Sequence, residues 1–345
     1  MRVSFGAAVI GLWAAWVVTQ RALSGRFWPV LLPDLLPPIA YVLVPLLLAP
    51  LLLRIGRRRW LAALVLLATL VVQLPRAGLN GHAVLPGPRS PEAGRISVFS
   101  WNTEYWHQSD DVAGFYAFLR AQRADIYLLQ EYELASAAAV TGVSDPGDLA
   151  ALRASFPGYS LVQRGELVTL SRFPIVATPG VAPDPGPAST DNWDFLAIVT
   201  KTLRVDVRTP AGILSTYNVH LPVQLSQANP LTPEFYRNVR DADRRRVTAL
   251  RGLASSIRTN PHPSVIAGDF NTTAAMGDLR GVRSVARDAE HADVYPISWN
   301  LNTPLRFWRL DWLFVAGGVA AWDYRFGDPG GFSDHRPQHV NLTLR

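Results

Sequence analysis

The chain has 345 residues, 49% of them hydrophobic and 17% charged, with 27 prolines and no cysteine. Without sulfur there can be no disulfide framework, zinc–thiolate site or cysteine nucleophile, and so apolar a composition excludes extended disorder. The net charge of +6 is unevenly held: ten arginines against Asp34 and Glu92 give residues 1–95 a charge of +8, leaving 23 basic and 25 acidic residues, or −2, for the rest.

Three apolar stretches come first in chain order. Val3 to Gln20 carries no charge and is just long enough to cross a bilayer core. Leu35 to Leu53 is uncharged but interrupted by Pro37, Pro38, Pro45 and Pro50, so a helical hairpin dipping into one leaflet would also fit it. Trp60 to Pro75 is short, with Arg58, Arg59 and Arg76 placed to snorkel. A signal peptide would give one such segment, not three. About three transmembrane helices over residues 1–75 are therefore predicted.

Basic residues set orientation. Arg54, Arg57, Arg58 and Arg59 crowd the link between the second and third segments. With that link in the cytoplasm, everything after Leu74 lies outside; Arg21 and Arg26 in the first link oppose this reading. Residues 76–95 are rich in Gly and Pro, lack apolar periodicity, and read as a linker.

From Arg95 onward, strands alternate with a few helices. Strands are predicted at Ile96 to Trp101, Asp125 to Gln130, Leu161–Val162, Leu167 to Ser171, Leu196 to Val207, Gly212 to His220, Ser264 to Ala267, Leu310 to Val315 and Val340 to Leu344. Asp110 to Gln122 and Phe235 to Ile257 have helical spacing, and the Arg244–Arg245–Arg246 run of the second reads as a solvated face. Pro179 to Pro187 reads as a surface loop. The pattern implies an α/β domain, residues 96–345, of two packed sheets flanked by helices.

Polar residues gather at strand ends. Asn102 and Glu104 follow the first strand, Glu131 follows the second, and His220 ends another. Asp269 and Asn271 follow the apolar Val265-Ile266-Ala267, Asp311 lies in an apolar strand, and Asp334-His335 follows Gly330-Gly331. Singly, each has an ordinary explanation: an aspartate after a strand usually forms a turn, and a lone histidine is usually structural. Together, oxygen donors without cysteine suit a hard cation such as Mg2+ or Mn2+. Acids and two imidazoles beside such a cation are what phosphoryl transfer requires.

In this order, WNTE, LQE, LSRFPI, NVH, GDFN, RLDW and SDH resemble the motifs of the endonuclease/exonuclease/phosphatase superfamily, the deoxyribonuclease-like metallophosphoesterases. The resemblance covers Ile96 to Arg345 and implies a four-layer α/β/β/α sandwich with its site at one edge. It further implies Glu131 as principal metal ligand, helped by Asn102, Asp334 and Glu104. Asp269 would activate water and Asn271 would hold that water or a phosphate oxygen. His335, paired with Asp311, would donate to the phosphate, and His220 would be the second imidazole there.

The apolar N-terminus followed by this domain is similar to the VanJ-like and YafD-like bacterial membrane-anchored members. That similarity implies a multi-pass protein of the cytoplasmic membrane whose extracytoplasmic domain hydrolyses a lipid-linked phosphate or pyrophosphate. A surface nuclease or generic phosphodiesterase is the alternative. The near-neutral domain argues against nucleic acid as partner, since duplex binding draws on Lys and Arg. A catalytically inert binding module on a membrane stalk is disfavoured, because every expected catalytic residue type is present.

Overall fold

The structure, a computed structural model, describes residues 5–84, 91, 93–105, 111–132, 149–181, 201–225, 228–290, 292–299 and 307–345. Most of the predicted proline-rich loop, the start of the strand predicted from Leu196, and Asp110 lie outside the described residues.

Helices α1 (Phe5–Leu23), α2 (Ala40–Leu48) and α3 (Arg59–Gln73) form the N-terminal bundle. Phe5–Leu23 and Arg59–Arg76 are each long and apolar enough to cross a membrane. The second segment is broken: Trp28–Leu35 and Ala40–Arg54 meet at 73°, so the spans number two, or three if this bent pair counts as one. Its prolines explain the break. Pro37 and Pro38 precede α2, Pro45 removes a hydrogen bond inside it, and Pro50 opens the short 3-10 stretch Ala49–Arg54 that follows. Leu12, Val18, Leu47, Leu53, Leu64, Leu67 and Val71 are exposed, giving the bundle an apolar outer surface. Gly6, near the start of α1, lies against Leu51 and Ile55. The Arg54 to Arg59 link is thus at the same end as the N-terminus, while Gln20 and Ser24 at the other end of α1 touch the globular domain.

Among the described residues, twelve strands form two six-stranded sheets. The first has the order β11 (Val319–Phe326), β12 (Gln338–Leu344), β1 (Ile96–Asn102), β2 (Ile126–Gln130), β4 (Leu167–Ser171), β3 (Ser160–Arg164). The second runs β5 (Ile175–Ala177), β6 (Thr202–Thr209), β7 (Gly212–His220), β8 (Ser264–Asp269), β10 (Asp311–Ala316), β9 (Arg287–Asp288). Both predicted long helices form, as α4 (Val112–Ala121) and α6 (Pro233–Thr259), with a short α5 (Leu149–Ser155) between them.

Strand periodicity produces the layers, because successive side chains point to opposite faces. Val98 and Leu128 enter the core between the sheets, together with Leu203, Leu214, Val265 and Leu313. Their neighbours Phe99, Trp101 and Leu129 point the other way, under Phe115 and Leu119 of α4 and Leu152 of α5. Likewise Ile266 and Phe314 meet Leu250, Leu253 and Ile257 of α6. The result is helix, sheet, sheet, helix, as the sequence implied.

Each sheet has one parallel pair at its centre, β1–β2 in the first and β7–β8 in the second. Residues 102 and 130 are register partners, as are His220 and Asp269, so two pairs of strand ends finish at one edge. Across the sheets, Asn218 Nδ2 donates to the Leu129 and Val168 carbonyls at 2.9 Å, and Gln130 Nε2 donates to Asn218 Oδ1 at 2.6 Å. These bonds pin the two sheets together one residue short of the acids.

Candidate active site

All nine residues singled out in the sequence come together at this edge. Asn102 is the hinge of the cluster: its Nδ2 donates to Glu131 Oε1 at 3.0 Å and Asp269 Oδ2 at 3.2 Å, and its Oδ1 accepts from the Glu104 amide at 3.0 Å. Glu104, Glu131 and Asn271 all have positive φ, 47°, 51° and 45°. Non-glycine residues are uncommon there, and such outliers gather at functional sites. Glu104 Oε2 accepts from the Asp334 amide at 2.7 Å, which ties the first strand's loop to the last motif. Trp299 Nε1 donates to Asp334 Oδ2 at 2.7 Å.

Asp269 lies at the centre. Its Oδ1 accepts from the Asn271 backbone amide at 2.7 Å and its Oδ2 from Asn271 Nδ2 at 3.1 Å. The other proton of Asn271 Nδ2 goes to the Leu221 carbonyl at 2.9 Å, so this side chain braces Asp269 and has no amide proton free. Gly268 fixes the neighbouring strand spacing. Its φ is 141°, and a Cβ there would overlap the Val219 carbonyl between β8 and β7.

The two imidazoles are held differently. His335 Nδ1 is 2.8 Å from Asp311 Oδ2, both side chains buried, which leaves Nε2 directed at Asp269 Oδ2 (3.8 Å) and Asp334 Oδ1 (3.8 Å). Burial opposes charge on His335, but Asp311 and Asp269 outweigh it and hold the imidazole well above its ordinary range. His220 Nδ1 is 2.9 Å from Glu166 Oε1, with Nε2 at 3.4 Å from Glu131 and 3.7 Å from Asp269. Burial again disfavours the cation, and Glu166 again overrides it and raises the pKa. Glu166 also pairs with Lys201, and this pairing with two cationic partners overcomes burial to keep its carboxyl below the usual carboxylate range.

The acids facing the site behave in the opposite sense. Glu131 is raised by burial despite His220. Asp334 is pushed up to about 6 by burial, with His335 opposing and Glu104 adding to the rise. Glu131, His220 and Asp269 form one group with ligand atoms within 4.8 Å of each other, and Asp269, Asp311 and His335 form another.

Three contributors escaped the sequence reading. Glu166, the partner of His220, sits in the turn before β4 and belongs to no motif. Trp299 lies in a stretch with no periodic signal. Arg246, expected on a solvated face, is instead fully buried. It donates to the Pro222 carbonyl at 2.6 Å, the Phe270 carbonyl at 3.3 Å and Thr272 Oγ1 at 2.5 Å, and pairs with Asp278 at 3.1 Å. It therefore clamps the loop that carries Asp269 and Asn271. Buried charge of this kind persists only where it is paired and hydrogen-bonded.

A cavity of about 380 Å³ opens over the cluster, with Glu104, Glu131, Asp269, Asn271, Asp334 and His335 on its floor. Its other walls are mainly apolar, with Val223, Leu225, Met276, Trp299, Trp308, Leu310 and, from the N-terminal segment, Leu35, interrupted by Gln224 and Thr273.

A sequence model described as the Endonuclease/Exonuclease/phosphatase family matches residues 99–335. No curated protein matches the chain. Among solved structures, an endonuclease/exonuclease/phosphatase from Bacteroides vulgatus is similar at 18% identity and TM-score 0.51, covering 73% of this chain and 99% of its own. Humanized D. rerio TDP2 is similar at 15% and 0.51, covering 73% and 100%. A Neisseria 3' phosphatase bound to a product DNA hairpin is similar at 13% and 0.51, covering 72% and 99%. At these identities the likeness concerns the fold.

Proposed function

Because the chain belongs to the endonuclease/exonuclease/phosphatase family, we propose that it is a membrane-anchored, divalent-metal-dependent phosphohydrolase. Its substrate is a lipid-linked phosphate or pyrophosphate at the outer face of a bacterial cytoplasmic membrane. One observation carries the lipid reading: Leu35, from the apolar N-terminal region, forms part of the wall of the cavity that holds the acids and imidazoles. The apolar walls suit a hydrocarbon chain, and Val223 and Leu225 continue them to an exposed rim. Nucleic acid is disfavoured further by Arg246, whose guanidinium is spent on Asp278 and the catalytic loop.

The residues fit a hard cation. Asp334 Oδ1 is buried without a hydrogen-bond partner, and burial keeps the Glu131 and Asp334 carboxyls raised even with His220 and His335 opposing it. Glu131, Asp334 and Glu104, with Asn102, would hold Mg2+ (or Mn2+), which when bound supplies charge neutralisation for the phosphate. Asp269, braced by Asn271, takes the proton of the attacking water. His335, kept protonated by Asp311, donates to a phosphate oxygen, and His220 adds positive charge from the opposite side.

Purified full-length protein with Mg2+ should hydrolyse undecaprenyl pyrophosphate or a phospholipid in detergent faster than plasmid DNA. Cleavage of DNA alone would overturn the lipid reading. The extracytoplasmic placement follows from the Arg54 to Arg59 cluster and has its own test. Alkaline phosphatase fused after Gly94 should be active and after Arg57 inactive; the reverse pattern would put the substrate in the cytoplasmic leaflet.

The metal also has a signature in stability. With the Asp334 pKa raised from 3.8 to about 6, the metal-free native protein keeps a proton that the unfolded chain has already released. The Asp334 contribution to stability should therefore fall as pH rises from about 4 to about 6, a decline that Asp334→Asn should lack. Melting curves in chelator should show this decline, and Mg2+ should raise the midpoint most above about pH 6. A midpoint indifferent to Mg2+ throughout would remove the cation from the site.

A further inference from the structure

The N-terminal helices and the domain meet through one buried polar hub. Asp34, fully buried, accepts from Gln20 Nε2 at 3.1 Å and from the Ser24 hydroxyl. Gln20 Nε2 also reaches the Ala275 carbonyl at 2.7 Å, and its Oε1 accepts from Gln73 Nε2 and Arg76 Nη1, each at 3.0 Å. The Gly277 amide donates to Ser24 Oγ at 2.6 Å, and Arg280 donates to the Ser24 carbonyl. The two backbones touch here: a Cβ on Gly25, whose φ is 66°, would stand 2.6 Å from the Gly277 carbonyl carbon. A simple tether needs no such network, and burying this many polar groups is costly unless all are bonded.

Two routes lead from the hub to the catalytic floor. Residues 275–280 continue the loop that begins at Asp269 and Asn271. On the other side, the carbonyl of Leu35, next to Asp34, accepts from Trp308 Nε1 at 3.1 Å. The Trp308 ring lies 5.9 Å from that of Trp299, which holds Asp334.

We infer that the membrane anchor is a working part of the active site and that Asp34 is its positioning residue. Asp34 fixes the Leu35–Trp308 wall at the height of Asp334 and His335, and the hydrocarbon chain next to the scissile phosphate lies along that wall. The chain-binding part of this inference rests on the lipid-phosphate reading; the docking of anchor to domain does not.

The test uses full-length protein in detergent, with undecaprenyl pyrophosphate and bis(p-nitrophenyl) phosphate as substrates. Asp34→Asn should keep its melting midpoint. Its kcat/KM for the lipid should fall about 10- to 100-fold, mainly through KM, and at least about ten times further than for the small ester. Leu35→Gln, which leaves the hub intact, should give the same selective loss. Equal losses on both substrates, or none, would overturn the specificity role.

A second arm needs no substrate. With a protease site inserted within residues 85–90, the cut wild-type domain should stay with its anchor, and the cut Asp34→Ala/Ser24→Ala variant should release it. Release of the wild-type domain would overturn the docking itself. If the wild-type enzyme ignores the lipid, the lipid-phosphate reading fails, and the cut alone decides the docking.

Discussion

Asp311→Asn should lower turnover by about 10²- to 10⁴-fold, the usual worth of a positioned proton donor, while leaving Mg2+ affinity nearly unchanged. The structure gives the reason. His335 Nδ1 faces Asp311 Oδ2 at 2.8 Å in a buried pocket, and burial alone would strip the imidazole of its proton. An asparagine keeps the shape but removes the charge that overrides burial, so the donor is lost at a lower pH. The alkaline limb of the pH–rate profile should therefore move to lower pH in Asp311→Asn. His335→Ala should cost a similar amount, and the double variant little more than either alone, because residues acting as one unit are not additive. Losses that multiply in the double variant would show that the two side chains act separately. Melting curves on the same proteins separate this from unfolding, since Asp311 lies in the buried strand β10.

Glu131→Gln should be at least as damaging, about 10³-fold in kcat/KM, matching the several kcal/mol a cation contributes to a phosphoryl transition state. The substitution keeps the side-chain oxygen near Asn102 but withdraws one negative charge from the cluster. The fold should persist: a neutral group is easier to bury, and the pKa of Glu131 is already raised by its surroundings. Raised Mg2+ should restore part of the activity, since the defect lies in affinity as well as catalysis. Activity indifferent both to Glu131→Gln and to chelation would remove the metal mechanism. Partial rescue by the ion is the result that distinguishes a ligand from a merely structural acid.

Much of this site was legible because its residues end strands. Asn102, Glu131, His220 and Asp269 each stand at or just past the end of a β-rich segment, and the parallel pairs β1–β2 and β7–β8 bring those ends to one edge. Glu166 carried no such mark: it stands before its strand, and only the packing of β4 beside β7 shows that it meets His220. Arg246 was misread because three consecutive arginines suggested solvent. Yet it falls seven residues after Val239 and seven before Leu253, on the stripe that α6 buries. Strand β11 carries a weak signal because Ala320 and Ala321 blur its alternation, although Gly317-Gly318 before it, both with positive φ, marks the tight turn by which the chain passes from β10 in one sheet to β11 in the other. The break in the second apolar segment was visible in its prolines; its 73° angle was not.

The pairing of β1 with β12 also fixes when the site can exist. Ile96 to Ser100 hydrogen-bond along Leu342 to Gln338, so the strand bearing Asn102 gains its second neighbour only from residues beyond His335. A ribosome delivers Asn102 first and Asp334 more than two hundred residues later. Until His335 has been made, no nascent chain carries a complete set of acids and imidazoles. The site is thus assembled from both ends of the domain, and its geometry depends on a contact between strands more than two hundred residues apart in sequence.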